Sequence, residues 1–475
     1  MANQKLLDNI YIISKIIGQK FPHLRKKPLL CIIIERKQKK DTTMSNIKVQ
    51  PANGKLGVMC VGLGAVTTTM IVGSLMARKG LSKPIGSFAC DGMMRLGKGR
   101  DKVYKEVKDI VPVAELEDIA FGAWDIYEDD AYEAAIRADV LKQRDIDPVA
   151  DELHAIKPLK ALFEKEYATN IDGPNMKVGT LLERTNALRE DIRRFKADNQ
   201  CDRVVVIWIA STEKYVARNA EAHDTLAGFE AALEHGDTTV IAPSMCYAYA
   251  AMREGCPFVM GAPNLCVDMP AMWQLAEECQ VPITGKDFKS GQTMMKTVLA
   301  PAFFTRQLGV TGWFSTNILG NRDGIVLDNP ENFETKRRSK MSAVENILDS
   351  DIYPDLYSDI YHKVRINYYP PRGDEKESWD NIDVFGWMGY PMTIKVNFLC
   401  RDSILAAPLV LDLVLFSDLA ARAGYSGIQE FLSFYSKAPM HKDGEQPVHD
   451  LFKQFAMLKN AIRVMAGYEA DQELD

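Results

Sequence analysis

The sequence lacks the cysteine and histidine patterns that metal sites and disulfide frameworks require. Its nine cysteines and seven histidines are scattered, with no CxxC pair and no cluster that joins the two residue types. An odd number of dispersed cysteines argues against a zinc site and against a disulfide framework, and it is typical of a reducing compartment. We therefore predict no metal site and a cytoplasmic location.

Long uninterrupted hydrophobic runs are also missing. The most apolar stretch, residues 404–423, is broken by Pro408, Asp412, Asp418 and Arg422, and charged side chains are costly inside a bilayer. We see no internal repeat and no low-complexity segment, and we predict no membrane partner. With 475 residues, 47% hydrophobic and 26% charged, the chain should fold into two or three domains.

Charge is distributed unevenly along the chain. The formal net charge is −6, yet residues 1–43 carry ten Lys or Arg and three Asp or Glu. A basic head can be a nucleic-acid tail or a targeting peptide, but its apolar run, residues 28–34, is short, bracketed by basic residues and followed by no small-residue cleavage site. We interpret residues 1–43 as a non-native or disordered extension before a natural start at Met44, and we predict no nucleic-acid partner.

Short apolar strands alternate with helical patterns in the first half of the chain. Strands are predicted at residues 55–61, 119–124, 203–208, 238–241 and 257–260, and helices at residues 65–79 and 245–253. This alternation predicts an α/β fold with a doubly wound, mostly parallel sheet. We expect a Rossmann-type dinucleotide-binding domain over residues 44–293.

The pattern changes after about residue 293. Longer strands are predicted at residues 363–369 and 392–398, joined by a polar stretch at 370–383, and helices return at 402–424 and 448–468. Long strands with few helices indicate a second sheet that is open on one face, and such a face often forms an oligomer interface. We expect an inserted α+β catalytic and oligomerisation domain over residues 294–401, followed by C-terminal helices (402–475) that return to the first domain.

A glycine turn follows the first predicted strand. Gly62 and Gly64 let the backbone approach a pyrophosphate, and the N-terminus of the next helix supplies amide donors. The third glycine of the usual motif is absent, so a tight structural turn remains the competing interpretation. Asp125, at the end of the second strand, suits ribose hydroxyls, and an ordinary helix cap explains it equally well without more context.

Two further segments have compositions suited to ligand binding. Residues 285–293 combine glycines, hydroxyls and lysines, as expected where a phosphate meets a helix N-terminus, although the Walker spacing is absent. Residues 315–324 form a glycine-bounded loop with amide side chains and a carboxylate, for which a simple turn is the alternative.

The lysines need a separate interpretation. Composition alone places residues 334–340, with Lys336 and Lys340, on a solvated helix face. Lys437 differs because it follows the apolar run 431–435, which can direct its ammonium inward. A buried lysine can shift its pKa or stabilise an oxyanion.

These segments, in this order, resemble the myo-inositol-1-phosphate synthase family over residues 57 to about 468. The family's GDDxKSGQT, SYNHLGNNDG and LKAP blocks are matched at residues 285–293, 314–324 and 436–439, its paired SK lysines at Lys336 and Lys340, and its GGWDI and WTANTE strand ends at residues 121–126 and 208–213. Three departures stand out: the family's GxGGNNG is Gly62-Leu-Gly-Ala-Val-Thr-Thr68 here, its GDD carries Lys286, and its NND carries Arg322. They indicate a divergent, bacterial branch.

The resemblance implies an isomerase, an intramolecular lyase, with NAD as cofactor. It would convert D-glucose 6-phosphate to 1L-myo-inositol 1-phosphate by oxidation at C5, enolisation, aldol closure of C6 onto C1 and re-reduction, for inositol and phospholipid synthesis. The family is typically a homotetramer. Two alternatives stay open: a sugar-phosphate dehydrogenase that releases NADH, and a catalytically silent homologue that binds NAD or a sugar phosphate.

The resemblance also implies roles for individual residues. Lys336 and Lys437 would act at O5 and Lys376 at O1, while Lys340 would help to hold the phosphate. The implied catalytic residues are Lys336, Lys340, Lys376, Lys437, Asp287 and Asp323. The implied cofactor-binding residues are Gly62, Gly64, Ala65, Val66, Thr67, Asp125, Ala210, Ser211, Thr212, Gly261, Asp287, Asn321, Asp323, Asp374 and Asp402. The implied substrate-binding residues are Lys289, Ser290, Gly291, Gln292, Asn317 and Lys340. For Asp402, a helix N-cap is the competing interpretation.

Overall fold

The computed structural model describes residues 49–97, 101–442 and 444–471, and for residues 338–342 it describes the backbone alone. The extension predicted at residues 1–43 lies outside the described residues. The strands of the described chain are β1 (Lys55–Val61), β2 (Met93–Leu96), β3 (Val103–Glu106), β4 (Ile119–Asp125), β5 (Leu159–Lys160), β6 (Cys201–Trp208), β7 (Phe258–Met260), β8 (Pro282–Gly285), β9 (Gly309–Leu319), β10 (Tyr361–Tyr368), β11 (Glu375–Phe385), β12 (Pro391–Arg401) and β13 (Gly427–Ile428).

Helices lie between most of these strands. The longer ones are Ala65–Arg78, Ala131–Ala138, Leu181–Asp198, Leu226–His235, Pro243–Arg253, Pro270–Glu278, Gly291–Arg306, Pro330–Ile347, Asp402–Arg422 and Leu451–Met465. Short helices are Phe88–Asp91, Val107–Ile110, Gln143–Ile146, Ala150–His154, Ala220–His223, Arg322–Leu327 and Pro354–Tyr357.

Seven strands form one parallel sheet in the order β13-β8-β7-β6-β1-β4-β5. β1 lies near the middle, where Met59 pairs with Gly122 of β4 and with Val206 of β6. This order is that of a doubly wound Rossmann sheet, which confirms the predicted fold class. Because the order reverses at β1, the carboxyl ends of β1, β4 and β6 meet at the crevice where such sheets bind ligands.

The long apolar helix Asp402–Arg422 packs against β6 and β7. By length and composition it could cross a membrane, but most of it is buried inside the protein. Its internal charges have partners: Asp412 accepts a hydrogen bond from the Tyr435 hydroxyl, and Asp418 pairs with Arg422. Because buried polar groups need such partners, the interruptions seen in the sequence are those of a core helix.

One predicted strand is wrong. Residues 238–241 form a turn that leads into helix Pro243–Arg253. The backbone N–H and the hydroxyl of Thr239 both donate to Asp237. Local side-chain bonds of this kind compete with strand pairing, and here they outweigh the β-branched composition.

Four strands form a second sheet in the order β10-β9-β11-β12. β10 is parallel to β9, whereas β11 is antiparallel to β9 and to β12. Two of these strands contradict the sequence interpretation, because β9 covers the first part of the expected loop at 315–324 and β11 covers most of the expected connection at 370–383. Their buried positions carry polar residues such as Ser315, Ser378 and Asp380, so the apolar alternation that marks a strand is missing.

The two faces of the second sheet differ. One face packs against helices Gly291–Arg306 and Pro330–Ile347, while the other exposes Tyr361, Trp379 and Leu399. This confirms a second sheet that is open on one face. Both sheets belong to one compact unit beginning at residue 49, and the domain boundaries at residues 293 and 401 stay a prediction.

Candidate active site

A cavity of about 460 Å³ lies at the carboxyl ends of β1, β4 and β6. It extends from the glycine turn to helix Pro330–Ile347 and to the segment around residue 437. The predicted site residues in its wall are Gly62, Gly64, Ala65, Val66, Asp125, Ala210, Ser211, Gly261, Asp287, Ser290, Asn321, Asp323, Lys336, Asp374, Asp402 and Lys437. One cavity thus joins the predicted cofactor turn to two of the predicted catalytic lysines.

The turn after β1 gives the backbone close access to this cavity. Gly62 has a φ of 97°, and a Cβ there would lie 3.0 Å from the Ala210 backbone, so the position requires glycine. A Cβ at Gly64 would meet no atom within 4 Å, which leaves open space before the next helix. That helix has no side-chain cap, and its first amides remain for a ligand. Thr67 is outside the wall, because its hydroxyl donates to the Gly62 carbonyl at 2.6 Å.

Asp125 ties the glycine turn to the end of β4. Its Oδ2 accepts the Leu63 N–H at 2.5 Å, and its Oδ1 accepts the Tyr127 N–H at 3.0 Å. Burial raises the pKa of Asp125, and these backbone donors partly offset that effect. The helix that follows is capped by Asp130, so the interpretation of Asp125 as an ordinary helix cap is wrong.

Two chain segments bring Lys437 to Asp287. Residues 285–288 pair with residues 436–440, and the Lys437 N–H donates to the Asp287 carbonyl at 2.7 Å. The Lys437 ammonium then lies 3.2 Å from Asp287 Oδ1. Lys336 donates to the same oxygen at 2.9 Å. One buried carboxylate therefore holds two ammonium groups.

A second carboxylate, Asp402, holds a third lysine. Its Oδ2 accepts from the Lys376 ammonium at 3.0 Å, and its Oδ1 accepts from the Ser290 hydroxyl at 2.8 Å. Asp402 is the first residue of helix Asp402–Arg422, but that helix has no side-chain cap. The N-cap interpretation of Asp402 is therefore wrong, and its carboxylate serves Lys376 and Ser290.

The surroundings shift the pKa values of the three lysines in different directions. Burial, the largest single effect, lowers the pKa of Lys336, but Asp287 together with Asp323 and Asp402 outweighs it and holds the pKa above its ordinary value. For Lys376, burial lowers the pKa and the nearby Asp402 raises it, and the net result is again a raised pKa. At Lys437 burial prevails over Asp287, and the pKa is lowered. Lys437 is therefore the lysine best suited to proton exchange.

Two predicted phosphate ligands lie outside the cavity wall: Asn317 is on the covered face of the second sheet, in β9, and Gln292 is on the helix Gly291–Arg306 that packs against this face. The Asn317 amide donates to Gln292 Oε1 at 2.6 Å, and the Gln292 amide donates to Asp380 Oδ2 at 3.1 Å. The Ser378 hydroxyl donates to Asn317 at 3.1 Å. Sequence reasoning missed Asp380, because it lies in the unpredicted strand β11. The substrate roles of Gln292 and Asn317 stay a prediction.

The structure does not bring every predicted residue to the cavity. The Lys289 ammonium donates to Gln454, and burial lowers the pKa of Lys289 to about 7. This lysine anchors the C-terminal helix and does not face the predicted substrate site. Thr212 and Gly291 are also buried outside the wall, while the side chain of Lys340 lies outside the described residues.

Sequence reasoning missed a carboxylate in the cavity wall, Glu213. It accepts the Ser244 N–H at 2.9 Å and the Asn264 amide at 3.0 Å. Burial raises the pKa of Glu213 to about 7, although these donors oppose the shift. Its place soon after a buried parallel strand is the signal that could have indicated it.

Asp374 also has a partner that the sequence did not indicate. The Ser403 hydroxyl donates to Asp374 Oδ1 at 2.7 Å, and Asn321 donates to the same oxygen at 3.2 Å. Burial raises the pKa of Asp374. Across the part of the chain that the structure describes, no group of three or more His, Cys, Asp or Glu side chains is arranged to hold a metal ion.

The fold and this site define a dinucleotide-binding enzyme whose cavity ends on buried lysine–carboxylate pairs. The family model for myo-inositol-1-phosphate synthase, an NAD-binding family, matches residues 56–463. The chain belongs to the myo-inositol-1-phosphate synthase family, and NAD is its cofactor. The glycine turn fits that cofactor, since Gly62 tolerates no side chain and the space before Gly64 is open.

Known relatives agree with this assignment. Inositol-3-phosphate synthase 1 of Bacteroides thetaiotaomicron is 61% identical over 422 residues, covering 88% of this chain and 97% of that protein. Inositol-3-phosphate synthase of Saccharomyces cerevisiae is 31% identical over 465 residues, covering 88% and 87%. The crystal structure of inositol-3-phosphate synthase from Caenorhabditis elegans has a TM-score of 0.83 at 28% identity, covering 89% of this chain and 88% of that one. The contrast between the first two identities confirms the bacterial branch.

Proposed function

We propose that this chain converts D-glucose 6-phosphate to 1L-myo-inositol 1-phosphate, without net oxidation, in inositol and inositol phospholipid synthesis. The observation that carries the proposal is the set of three buried lysines, Lys336, Lys376 and Lys437, held by two carboxylates that line the same cavity as the cofactor turn. The relatives that it matches over most of their length are inositol-3-phosphate synthases.

The reaction creates and discharges negative charge at sugar oxygens. NAD, when bound at the glycine turn, supplies the acceptor for a hydride from C5 and later its return. Lys437 takes the proton of the O5 hydroxyl as C5 becomes a ketone, because of the three lysines it is the one whose pKa is lowered and which gives up its own proton most readily. Lys336 and Lys376 keep their protons because their pKa values are raised. They stabilise the charge at O5 during enolisation and at O1 during aldol closure.

Burial strengthens each of these interactions. Lys336, Lys376 and Lys437 are 8%, 5% and 4% exposed. Coulomb stabilisation grows as the local dielectric constant falls, so fixed ammonium groups in such a site act more strongly than they would in water. Asp287 and Asp402 position these groups, and they allow Lys336 and Lys376 to stay charged while buried.

We place the phosphate of the substrate with Ser290, Gln292, Asn317 and Lys340. Ser290 supports this placement because it lies in the cavity wall and donates to Asp402 beside Lys376. The cofactor would be held by the predicted cofactor-binding residues that line the cavity wall. Among them, Asp125 would accept hydrogen bonds from ribose hydroxyls. Asp323 adds to the negative potential that raises the pKa of Lys336.

The test is a product assay on the purified chain with D-glucose 6-phosphate and NAD. We expect an inositol monophosphate, identified by phosphorus NMR and mass spectrometry, with no net NADH. Stoichiometric NADH would favour the sugar-phosphate dehydrogenase instead. Binding of NAD with no turnover would favour the silent homologue.

The open face of the second sheet supports a homotetramer. Tyr361, Trp379 and Leu399 are 64%, 37% and 55% exposed on that face, and exposed apolar patches mark interaction surfaces. We expect a tetrameric mass by light scattering. A double replacement, Trp379→Glu with Leu399→Glu, should lower that mass, and an unchanged tetramer would exclude this face as the interface.

The cysteines support a cytoplasmic location. Eight of them lie in the described residues, and all eight are unpaired. Thiols of this kind persist in a reducing compartment. Localisation of a tagged chain by fractionation would test this, and recovery outside the cytoplasm would contradict it.

A further inference from the structure

One cation in the cavity wall, Arg322, forms no ion pair with any carboxylate of the described residues, although its charge acts on the Asp125 carboxylate from a greater distance. The cationic side chains among the described wall residues are Arg137, Arg322, Lys336 and Lys437. Both lysines pair with Asp287, and Arg137 pairs with Asp129. Within the residues that the structure describes, no carboxylate forms an ion pair with Arg322. This side chain therefore remains available to an anion in the cavity.

Aromatic stacking holds Arg322 at this position. Its guanidinium carbon lies 4.1 Å from the centroid of the Tyr127 ring, and the guanidinium of Arg137 lies over the same ring at 5.2 Å. Two guanidinium groups on one ring repel each other, and a bound anion would relieve that repulsion. Tyr127 itself donates to Asp125, which also accepts the Leu63 N–H of the glycine turn. The arginine pair thus lies beside the turn.

The helix after the glycine turn offers no side-chain donor to a phosphate. Its first positions are Ala65 and Val66, where the family motif has glycine and asparagine, so the amide side chain of the family is missing at position 66. The hydroxyls of Thr67 and Thr68 donate to backbone carbonyls of the turn. Backbone amides and the helix dipole supply only partial positive charge. A full cation from another part of the cavity wall would therefore add to the stabilisation of the two negative charges of a pyrophosphate.

We propose that Arg322 binds a phosphate group of the dinucleotide, with Arg137 as a second, weaker contact. A guanidinium can form two parallel hydrogen bonds to one phosphate, which makes the interaction strong and directional. Arg322, which stands where the family's NND sequence has asparagine, thus replaces the side-chain donors that are missing from the glycine motif. The proposal rests on NAD as cofactor and not on the sugar chemistry of the proposed function.

Calorimetric titration of the full-length chain tests this. NAD, ADP, NADP and adenosine are titrated into the wild type and into Arg322→Gln. Because Arg322→Gln removes a charge-assisted contact, it should weaken the binding of NAD and of ADP on the order of 10- to 100-fold. The affinity for adenosine should stay unchanged. Arg322→Lys should recover part of the loss, because it keeps the charge without the bidentate geometry. Selective weakening of NADP binding alone would place Arg322 at the 2′-phosphate, a group that NAD lacks, and would overturn the proposal.

Arg253→Gln is the matched control. Arg253 also stacks on a tyrosine, at 5.3 Å from the Tyr249 centroid, but it pairs with Glu230 and lies outside the cavity wall. The Arg253→Gln variant should bind NAD, ADP, NADP and adenosine with the affinities of the wild type. Equal weakening of adenosine and ADP by Arg322→Gln, or no change in any phosphate-bearing ligand, would overturn the proposal. Because binding needs no turnover, failure of the synthase assay would leave this result standing.

Discussion

Lys437→Met is the most direct test of the chemistry proposed for the buried lysines. Methionine keeps most of the side-chain length and removes the ammonium group. At 3.2 Å from Asp287 Oδ1, the ammonium interacts with a unit charge by about 5 kcal/mol at an effective dielectric constant of about 20. A sugar oxyanion at a similar distance would gain less than this gross value, because the carboxylate shares the same ammonium.

The expected loss in turnover follows from that comparison. Removal of one preorganised oxyanion donor costs on the order of 10²- to 10³-fold in kcat, which corresponds to about 3–4 kcal/mol. The loss of the group that exchanges the O5 proton adds to it. We therefore expect a decrease in kcat of at least about 100-fold, with NAD affinity within a few-fold of wild type.

The assay is inositol monophosphate formation under saturating substrate, with Lys289→Met as the matched control. Lys289 is also a buried lysine of the same region, but its ammonium binds Gln454 and does not reach the cavity. We expect Lys289→Met to retain kcat. If Lys437→Met kept a turnover within threefold of wild type while remaining folded, the assignment of proton exchange to this lysine would be refuted.

Three further predictions follow from single sites. Asp287→Asn leaves two buried ammonium groups without their carboxylate, so we expect a loss of about 3–5 kcal/mol in unfolding free energy by urea titration, and an unchanged midpoint would contradict the pairing. For Lys289, the pKa is about 7 in the folded state and about 10.4 when unfolded. The unfolded state therefore binds more protons between these values, stability rises with pH there, and Lys289→Met should flatten that rise in urea titrations at pH 7 and 9. Gly62→Ala should lower the free energy of unfolding by about 1–3 kcal/mol and weaken NAD binding, because the added Cβ would lie 3.0 Å from Ala210. The control Gly64→Ala should fold normally. Equal stability of the two variants would argue against a strained turn.

The sequence predicts four of the seven strands of the parallel sheet, because these four follow simple rules, and it misses the short strands β5, β8 and β13. β1, β4, β6 and β7 are continuous apolar runs that end near glycine or polar residues, as strands covered on both faces should be. The second sheet does not follow such rules. β11 alternates buried Lys376, Ser378 and Asp380 with partly exposed residues, so hydropathy alone indicates a polar connection where a strand lies.

The lysine site could not be derived from local sequence for a related reason. Lys336 belongs to a segment whose composition predicts a solvated face, yet Asp287 from another part of the chain makes its burial possible. A buried charge depends on its partner, and that partner is supplied by tertiary structure. Lys289 shows the opposite case. Its sequence motif suggests a ligand-binding lysine, whereas in the structure its ammonium donates to Gln454 and anchors the C-terminal helix.

The cationic side chains at the two ends of the cavity differ in whether they are paired with carboxylates, and this difference matches the ligand group that each end binds. At the catalytic end, Lys336, Lys376 and Lys437 are paired with carboxylates. This pairing keeps Lys336 and Lys376 protonated between steps, while the charge on the sugar oxygens is transient. At the cofactor end the anion is permanent, so a carboxylate on Arg322 would compete with the phosphate. The lysine–carboxylate pairs at one end, and at the other an Arg322 guanidinium that forms no ion pair within the described residues, therefore both suit how long the negative charge lasts.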